Sequence, residues 1–381
     1  MGVNSPWEGV VSAAAVCWDE RFATHDMGRG GLYLPVGRLI EDDVFVDNPQ
    51  RITRTRNLFH AAGIDGRVEF LRPREAAVGE LLRVHAAEHV ERMQAVSSAG
   101  HGDAGGGYTP MDGRSYGLAL LSAGSALTAL ERVLPGDVEV AHAMLRRSGH
   151  HAWRESGYGF CVFNNCAIVA AAARATGLAR VAIVDVDAHH GNGSEAIFLD
   201  DPSVLTVSIH QDRSFPVETG NVSAVGVGDG QGLNVNVNLP AGTGDPGYLD
   251  ALERVVLPVL AEYRPELLVI ACGVDGSLFD PMARLCVTAT GFAEIGRRIR
   301  AVAAEASAGR IVSVQEGGYS PVYAPFCWLA MLEGMAGLER TDDPWEAFVA
   351  GQAGCRDLPA WQVEANEATR QALAPYWASL R

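Results

Sequence analysis

The chain has 381 residues, 48% of them hydrophobic and 20% charged, with a formal net charge of -16. Such a composition buries a large core and excludes global disorder, and its acidic balance argues against nucleic-acid phosphates and anionic membranes as partners. All 30 basic residues are Arg, so no lysine is available for a P-loop or a Schiff base, and nucleotide-phosphate and pyridoxal chemistry fall away.

No low-complexity linker divides the chain, which reads as one domain over residues 1–381. In chain order, "VVSAAAVCW" (10–18) reads as a first strand rather than a signal peptide, because no Arg precedes it, and "MGVNSP" lacks the Ser or Thr that myristoylation needs. Residues 27–56 read as a long loop before a helix, and "SAGHGDAGGGYTPMDGRS" (98–115) as a Gly-rich loop. Helices are expected at 115–133, 164–176, 246–263 and 290–307 from apolar spacings of three and four, and strands at 137–143 and from 181, 204, 267 and 310. This alternation predicts an α/β fold with an open, mainly parallel sheet flanked by helices on both faces. Seven cysteines (17, 161, 166, 272, 286, 327 and 355) form no C-x-x-C pair and read as reduced thiols of a cytoplasmic protein. No apolar run reaches the ~18 residues of a membrane span.

Ligands of open parallel sheets sit beyond the carboxyl ends of the strands, and there the polar clusters fall: "SGHH", "DVDAHH", "GVDGSLFDP" and "EGGY". Asp185, Asp187 and His189 are spaced by two, so continued strand geometry would turn them to one face. One of those carboxylates, an imidazole and, from the 267 strand, Asp275 as the best candidate for a third ligand would make a set that suits a catalytic zinc with open positions. In His150-His151 one ring could act as general base and its neighbour as electrostatic support. Tyr319 follows two glycines, which could place its phenol to donate to an oxyanion, although that placement alone favours packing over catalysis.

Together, "RRSGHHA", "GYGFCVFNN", "VDVDAHHGNGS", "GVDGSLFDP" and "EGGYS" resemble the zinc-dependent histone deacetylase family, in particular its bacterial class II histone deacetylase-like amidohydrolases, over residues 13–350. The resemblance implies one zinc held by Asp187, His189 and Asp275, catalytic His150, His151 and Tyr319, and a hydrogen-bonding partner for each histidine, Asp185 for His150 and Asn192 for His151. Aspartate would favour imidazolium at His150, and neutral Asn192 would leave His151 free to take a proton from water. It further implies a substrate tunnel walled by Phe160 and Phe215, the Gly159 carbonyl accepting from the substrate amide, and a structural potassium on backbone oxygens near Asp185, Asp187 and His189 with the Ser208 hydroxyl. A homo-oligomer is expected.

Three features depart from the family. "RRSGHH" stands for the usual "RPPGHH", which should loosen the loop before the histidines. Val274 replaces the common Phe and should reshape the wall near the metal, and "FPVETG" around Phe215 is one residue longer than in many relatives. Met282 occupies the position where polyamine-selective members often carry glutamate, so the expected substrates are acyl-lysine-like or uncharged-tail amides, with acetylpolyamine hydrolysis as the alternative and Asp103 or Asp112 as the residues that could reach the rim. Two competing readings are weaker. An arginase-like two-metal site lacks ligands where Gly191 and Ser277 stand, and a non-catalytic zinc-binding sensor would not need the intact histidines and tyrosine.

Overall fold

The computed structural model describes residues 14–32, 34–352 and 355–381. Eight parallel strands form one sheet: β1 (Ala14–Cys17), β2 (Glu69–Leu71), β3 (Val140–Ala143), β4 (Val181–Asp185), β5 (Val204–Gln211), β6 (Asn234–Leu239), β7 (Leu267–Cys272) and β8 (Ile311–Gln315). Their spatial order is β6-β5-β4-β7-β8-β3-β1-β2. Every residue of β4, β5, β7 and β8 is buried, the mark of a sheet covered on both faces. Helices Ser115–Val133 and Asn165–Ala175 pack together on the central strands, while Ala289–Ala306 packs on Ala324–Ala336, which also meets Gln50–Ala61. The residues of the expected first strand that precede Ala14 lie outside the described part.

The chain winds outward through β4, β5 and β6, then returns to place β7 on the other side of β4. This reversal opens a crevice at the carboxyl edge of β4, β7, β8 and β3. The register keeps those ends level, pairing Ala271 with Asp185, Cys272 with Gln315 and Val314 with Ala143. All four expected polar clusters emerge there.

Local chemistry explains most boundaries. Asn164 caps its helix by accepting from the Ala167 N–H at 2.9 Å, and Thr288 caps helix Ala289–Ala306 by accepting from the Gly291 N–H at 3.1 Å. The expected helix over 246–263 is three consecutive segments, Asp245–Ala251, a wide π-turn Leu252–Val256 and Leu257–Tyr263. Pro258 has no N–H to donate one turn back, and the wide turn absorbs that break. The alternation of Asp185, Asp187 and His189 is not carried by a strand. β4 ends at Asp185, whose carboxylate takes the Asp187 N–H at 3.1 Å, and Asp187 in turn takes the His189 N–H at 2.9 Å. Side-chain carboxylates here capture the N–H groups a sheet would have used.

Gly124 shows how tightly helix Ser115–Val133 is seated. A Cβ there would lie 2.0 Å from the Arg74 carbonyl oxygen and 2.6 Å from the Ala76 nitrogen. Gly124→Ala should therefore lower the unfolding free energy by ~1–3 kcal/mol, against the ~1 kcal/mol gain that helix propensity alone would give. A urea titration of the two proteins gives the sign.

Candidate active site

Beyond β4 the loop folds on its own carboxylates and delivers His189 between two of them. His189 Nδ1 lies 3.1 Å from Asp187 Oδ1 and 2.8 Å from Asp275 Oδ2. The remaining oxygens take backbone donors, Asp187 Oδ2 from Gly317 N–H at 2.8 Å and Asp275 Oδ1 from Ala188 N–H at 2.7 Å. Asp187 and Asp275 are fully buried. Burial and the Asp187 charge raise the Asp275 carboxyl, while at His189 the two carboxylates outweigh burial and hold the imidazole well above its usual range. Two buried anions thus converge on one point and demand positive charge there. The backbone comes this close because Gly317 has no side chain: a Cβ would sit 2.1 Å from Asp275 Oδ2 and 2.6 Å from Asp187 Oδ2.

The histidines follow β3 on a loop anchored by Glu316, whose Oε2 accepts from Gly149 N–H at 2.7 Å and His150 N–H at 3.3 Å. His150 Nδ1–H donates to Asp185 at 2.8 Å, and His151 Nδ1–H donates to Asn192 Oδ1 at 2.7 Å. Nε2 of His151 is thereby left as the nitrogen with the lone pair. Burial opposes charge on both rings. At His150 the Asp185 and Asp187 carboxylates overcome it and raise the imidazole to about 10. At His151 the neighbouring His150 and His189 reinforce it and push the imidazole well below its usual range.

A narrow cleft opens over these groups, lined by His151, Gly159, Phe160, His189, Phe215, Met282 and Tyr319. Phe215 stands edge-on to His151 at 5.1 Å and is stacked on Tyr158 at 5.3 Å, which is stacked on Trp153 at 5.4 Å. Phe160 meets Tyr319 at 5.9 Å. Gly159 adopts φ +51°, and a Cβ would approach His151 Cδ2 to 2.5 Å. The twelve residues expected to act in catalysis, hold the substrate or bind the metal therefore lie in or directly behind one cleft.

A second group, His150, Cys161 and Glu316, also gathers three donor types. Burial holds the Cys161 thiol well above its ordinary range, so a thiolate ligand is disfavoured there.

Residues 45–335 match the histone deacetylase domain. A histone deacetylase-like amidohydrolase of Pseudomonas aeruginosa is 37% identical over 92% of this chain and 94% of its own length. The chain belongs to the histone deacetylase family. A probable deacetylase of Archaeoglobus fulgidus is 38% identical over 76% of the chain and 81% of that protein, and the human polyamine deacetylase HDAC10 is 33% identical over 90% of the chain and 51% of that protein. The crystal structure of the HDA15 HD domain superposes with a TM-score of 0.82 at 27% identity, covering 97% of each chain. The family places this chain among metal-dependent amide hydrolases.

Two of the departures from the family pattern are buried, Arg147 and Ser148 ahead of the histidines and Val274 beside Asp275. Arg147 is buried, its N–H donates to Ser122 Oγ at 2.8 Å, its carbonyl accepts from Asn165 at 3.0 Å, and its guanidinium donates to the Pro110 carbonyl at 2.5 Å. Val274 lies fully buried behind Gly318 and is not among the residues that line the cleft. Asp103 and Asp112 are likewise committed. Asp103 accepts from Gly105, Gly107 and Thr109 N–H groups of its own loop at 2.7–3.0 Å, and Asp112 pairs with His25 at 2.9 Å.

Sequence reasoning missed the support beneath Tyr319. Arg51, buried, donates to the carbonyls of Gly318 at 2.6 Å and Glu316 at 2.7 Å, and its guanidinium lies 4.5 Å from the Tyr319 ring. It is ion-paired with Asp47, which also receives Arg146 at 3.1 Å. Asp47 and Arg51 are four residues apart where the chain enters helix Gln50–Ala61, a spacing that suits an ion pair, yet they sit in a stretch that read as loop. One buried carboxylate therefore serves two buried guanidinium groups. Asp47→Asn should lower the unfolding free energy by ~3–5 kcal/mol, the scale for uncoupling a buried ion pair, as measured by guanidinium denaturation, and turnover should fall with it.

Proposed function

We propose that this protein hydrolyses N-acyl amides of the acyl-lysine type with one zinc ion held by Asp187, His189 and Asp275. The observation that carries this reading is the convergence of His189 Nδ1 and two fully buried carboxylates at the base of a cleft. The donor set fits a divalent ion: two anions and an imidazole that share one point, with His189 Nε2 3.3 Å from the Met282 carbonyl to fix the ring. Zinc bound there supplies Lewis acidity toward an acyl carbonyl and lowers the pKa of water.

The chain's own residues do the rest. His151, kept neutral with its Nε2 lone pair free, takes a proton from the attacking water. The Tyr319 hydroxyl, buried at the cleft, donates to the carbonyl oxygen as negative charge grows on it. His150, held charged by Asp185, stabilises that developing anion, and the histidine pair returns the proton to the leaving amine as the C–N bond breaks. Phe160 and Phe215 exclude water from the acyl chain, and the Gly159 carbonyl accepts from the substrate amide. A structural potassium on backbone oxygens near Asp185, Asp187 and His189 belongs to the same reading, supported by Ser208, level with Asp185 across the sheet.

Met282 gives the mouth an apolar wall, which favours acyl-lysine-like or uncharged-tail amides. One observation favours acetylpolyamines as a second reading. The hollow beside the cleft shares Met282 and Tyr319 and is also lined by Glu41 and Asp43, whose charges could hold a distant ammonium. A reducing, cytoplasmic setting is inferred from seven cysteines without a disulfide, and a homo-oligomer from exposed Leu32, Leu34, Val36, Leu39 and Val44 on one loop.

Chelation should abolish hydrolysis of an acetyl-lysine coumarin amide, and added zinc should restore it, with elemental analysis giving one zinc per chain; two manganese ions and activity on guanidino compounds would sink the reading. Tyr319→Phe should fold normally and lose ~10²-fold or more in kcat, with His151→Ala at least as severe. Comparing kcat/KM for acetyl-lysine and acetylspermidine decides the tail. A polyamine preference above ~10-fold, about 1.4 kcal/mol, would move the assignment to Glu41 and Asp43.

A further inference from the structure

Tyr319 is poorly fixed by its own chain. It follows Gly317 and Gly318, the latter at φ +143°, and glycines leave the backbone more freedom than any other residue. A small rotation there swings a phenol through a large arc at the end of a long side chain. Arg51 covers one side of the ring and holds the Gly318 carbonyl. The other restraint on the tyrosine backbone comes from Asp280, five residues beyond Asp275 and absent from the cleft lining. Asp280 Oδ2 accepts from Tyr319 N–H at 2.6 Å and from Ser320 N–H at 3.2 Å, while Oδ1 accepts from Met282 N–H at 2.9 Å. Tyr319 and Met282 both line the cleft, and they come from segments separated by 37 positions. One carboxylate thus ties two walls of the cleft together.

We propose that Asp280 is a positioning residue that holds the Tyr319 phenol in register with the Met282 wall, an inference that rests on the role assigned to Tyr319 above. The chemistry is specific to a carboxylate, because both oxygens accept. In Asp280→Asn one of them becomes an amide NH2, which faces either the Met282 N–H or the Tyr319 and Ser320 N–H groups, donor against donor. Asp280→Glu keeps the charge and moves it by one methylene. A displacement of ~1 Å at a reacting group costs up to ~10²-fold in rate.

The test is a double-mutant cycle. Asp280→Asn and Asp280→Glu are made in the wild-type and Tyr319→Phe backgrounds, with kcat and KM on acetyl-lysine coumarin amide, zinc content and thermal unfolding recorded for each. In the wild-type background kcat should fall ~10-fold or more with KM changed less than ~3-fold and zinc retained. With the phenol hydroxyl already removed, the same substitutions should cost less than ~3-fold. Equal losses in both backgrounds, wild-type kcat in both variants, or zinc lost in step with activity would each overturn the proposal. If the Asn variant does not fold, the Glu variant decides on the same criteria, and failure of both to fold would make Asp280 a folding residue and overturn it too. Failure of the functional reading looks different: a wild-type protein without turnover, or full turnover in Tyr319→Phe alone.

Discussion

Asp187 and Asp275 are buried side by side, and the architecture of the site follows from the need to compensate that pair. An isolated buried carboxylate is expensive, and two that face one another are worse. The chain spends backbone N–H groups of Ala188, His189 and Gly317 on them and places the His189 ring between them. What remains is a demand for positive charge at one point under a cleft.

Meeting that demand requires four loops to arrive at one place, and the sheet ensures it. Strands β4, β7, β8 and β3 are neighbours with level ends, so residues far apart in sequence emerge within a few ångströms. The loops then brace one another. Glu316, at the end of β8, accepts from the backbone ahead of His151, and Gly317 approaches the carboxylates because it lacks a Cβ. Beneath them lies a buried network of opposite sign, Arg51 and Arg146 on Asp47. In a chain without lysine, the planar guanidinium is well suited to that place, since one Arg51 binds two carbonyls, a carboxylate and an aromatic face together.

How much of this was legible in the sequence depends on whether a residue's environment is encoded locally. The interior strands were legible because their apolar runs end abruptly in Asp, His or Glu, and the helix over 115–133 because its apolar spacing is regular. Strand Glu69–Leu71 is too short to show a pattern. Strand Asn234–Leu239 buries asparagines, Asn234 and Asn236, that donate to Glu195 across the fold, so its inward face reads as polar. Helix Ala324–Ala336 is buried nearly all round and has no polar face to set a period, while Ala360–Leu373 turns Gln362, Asn366 and Thr369 inward. Asp47, Arg51 and Asp280 escaped notice for a related reason. Asp47 and Arg51 pair locally, but in a stretch that read as loop, and their bonds to Arg146, Gly318 and Glu316, like those of Asp280 to Tyr319 and Ser320, reach partners far along the chain.

Charge illustrates the same division between global and local information. A net charge of -16 suggests attraction for cations, yet carboxylates near the cleft are largely spoken for: Asp103 organises its own loop, Asp112 is paired with His25, and Asp280 faces backbone N–H groups. Glu41 and Asp43 stand apart as exposed side chains on the hollow beside Met282. Exposed charges act through water and salt with a Debye length of roughly 8–10 Å, whereas Met282 lines the cleft itself. The proposed preference for an uncharged tail therefore rests on a local contact that salt does not screen, and the net charge does not bear on it.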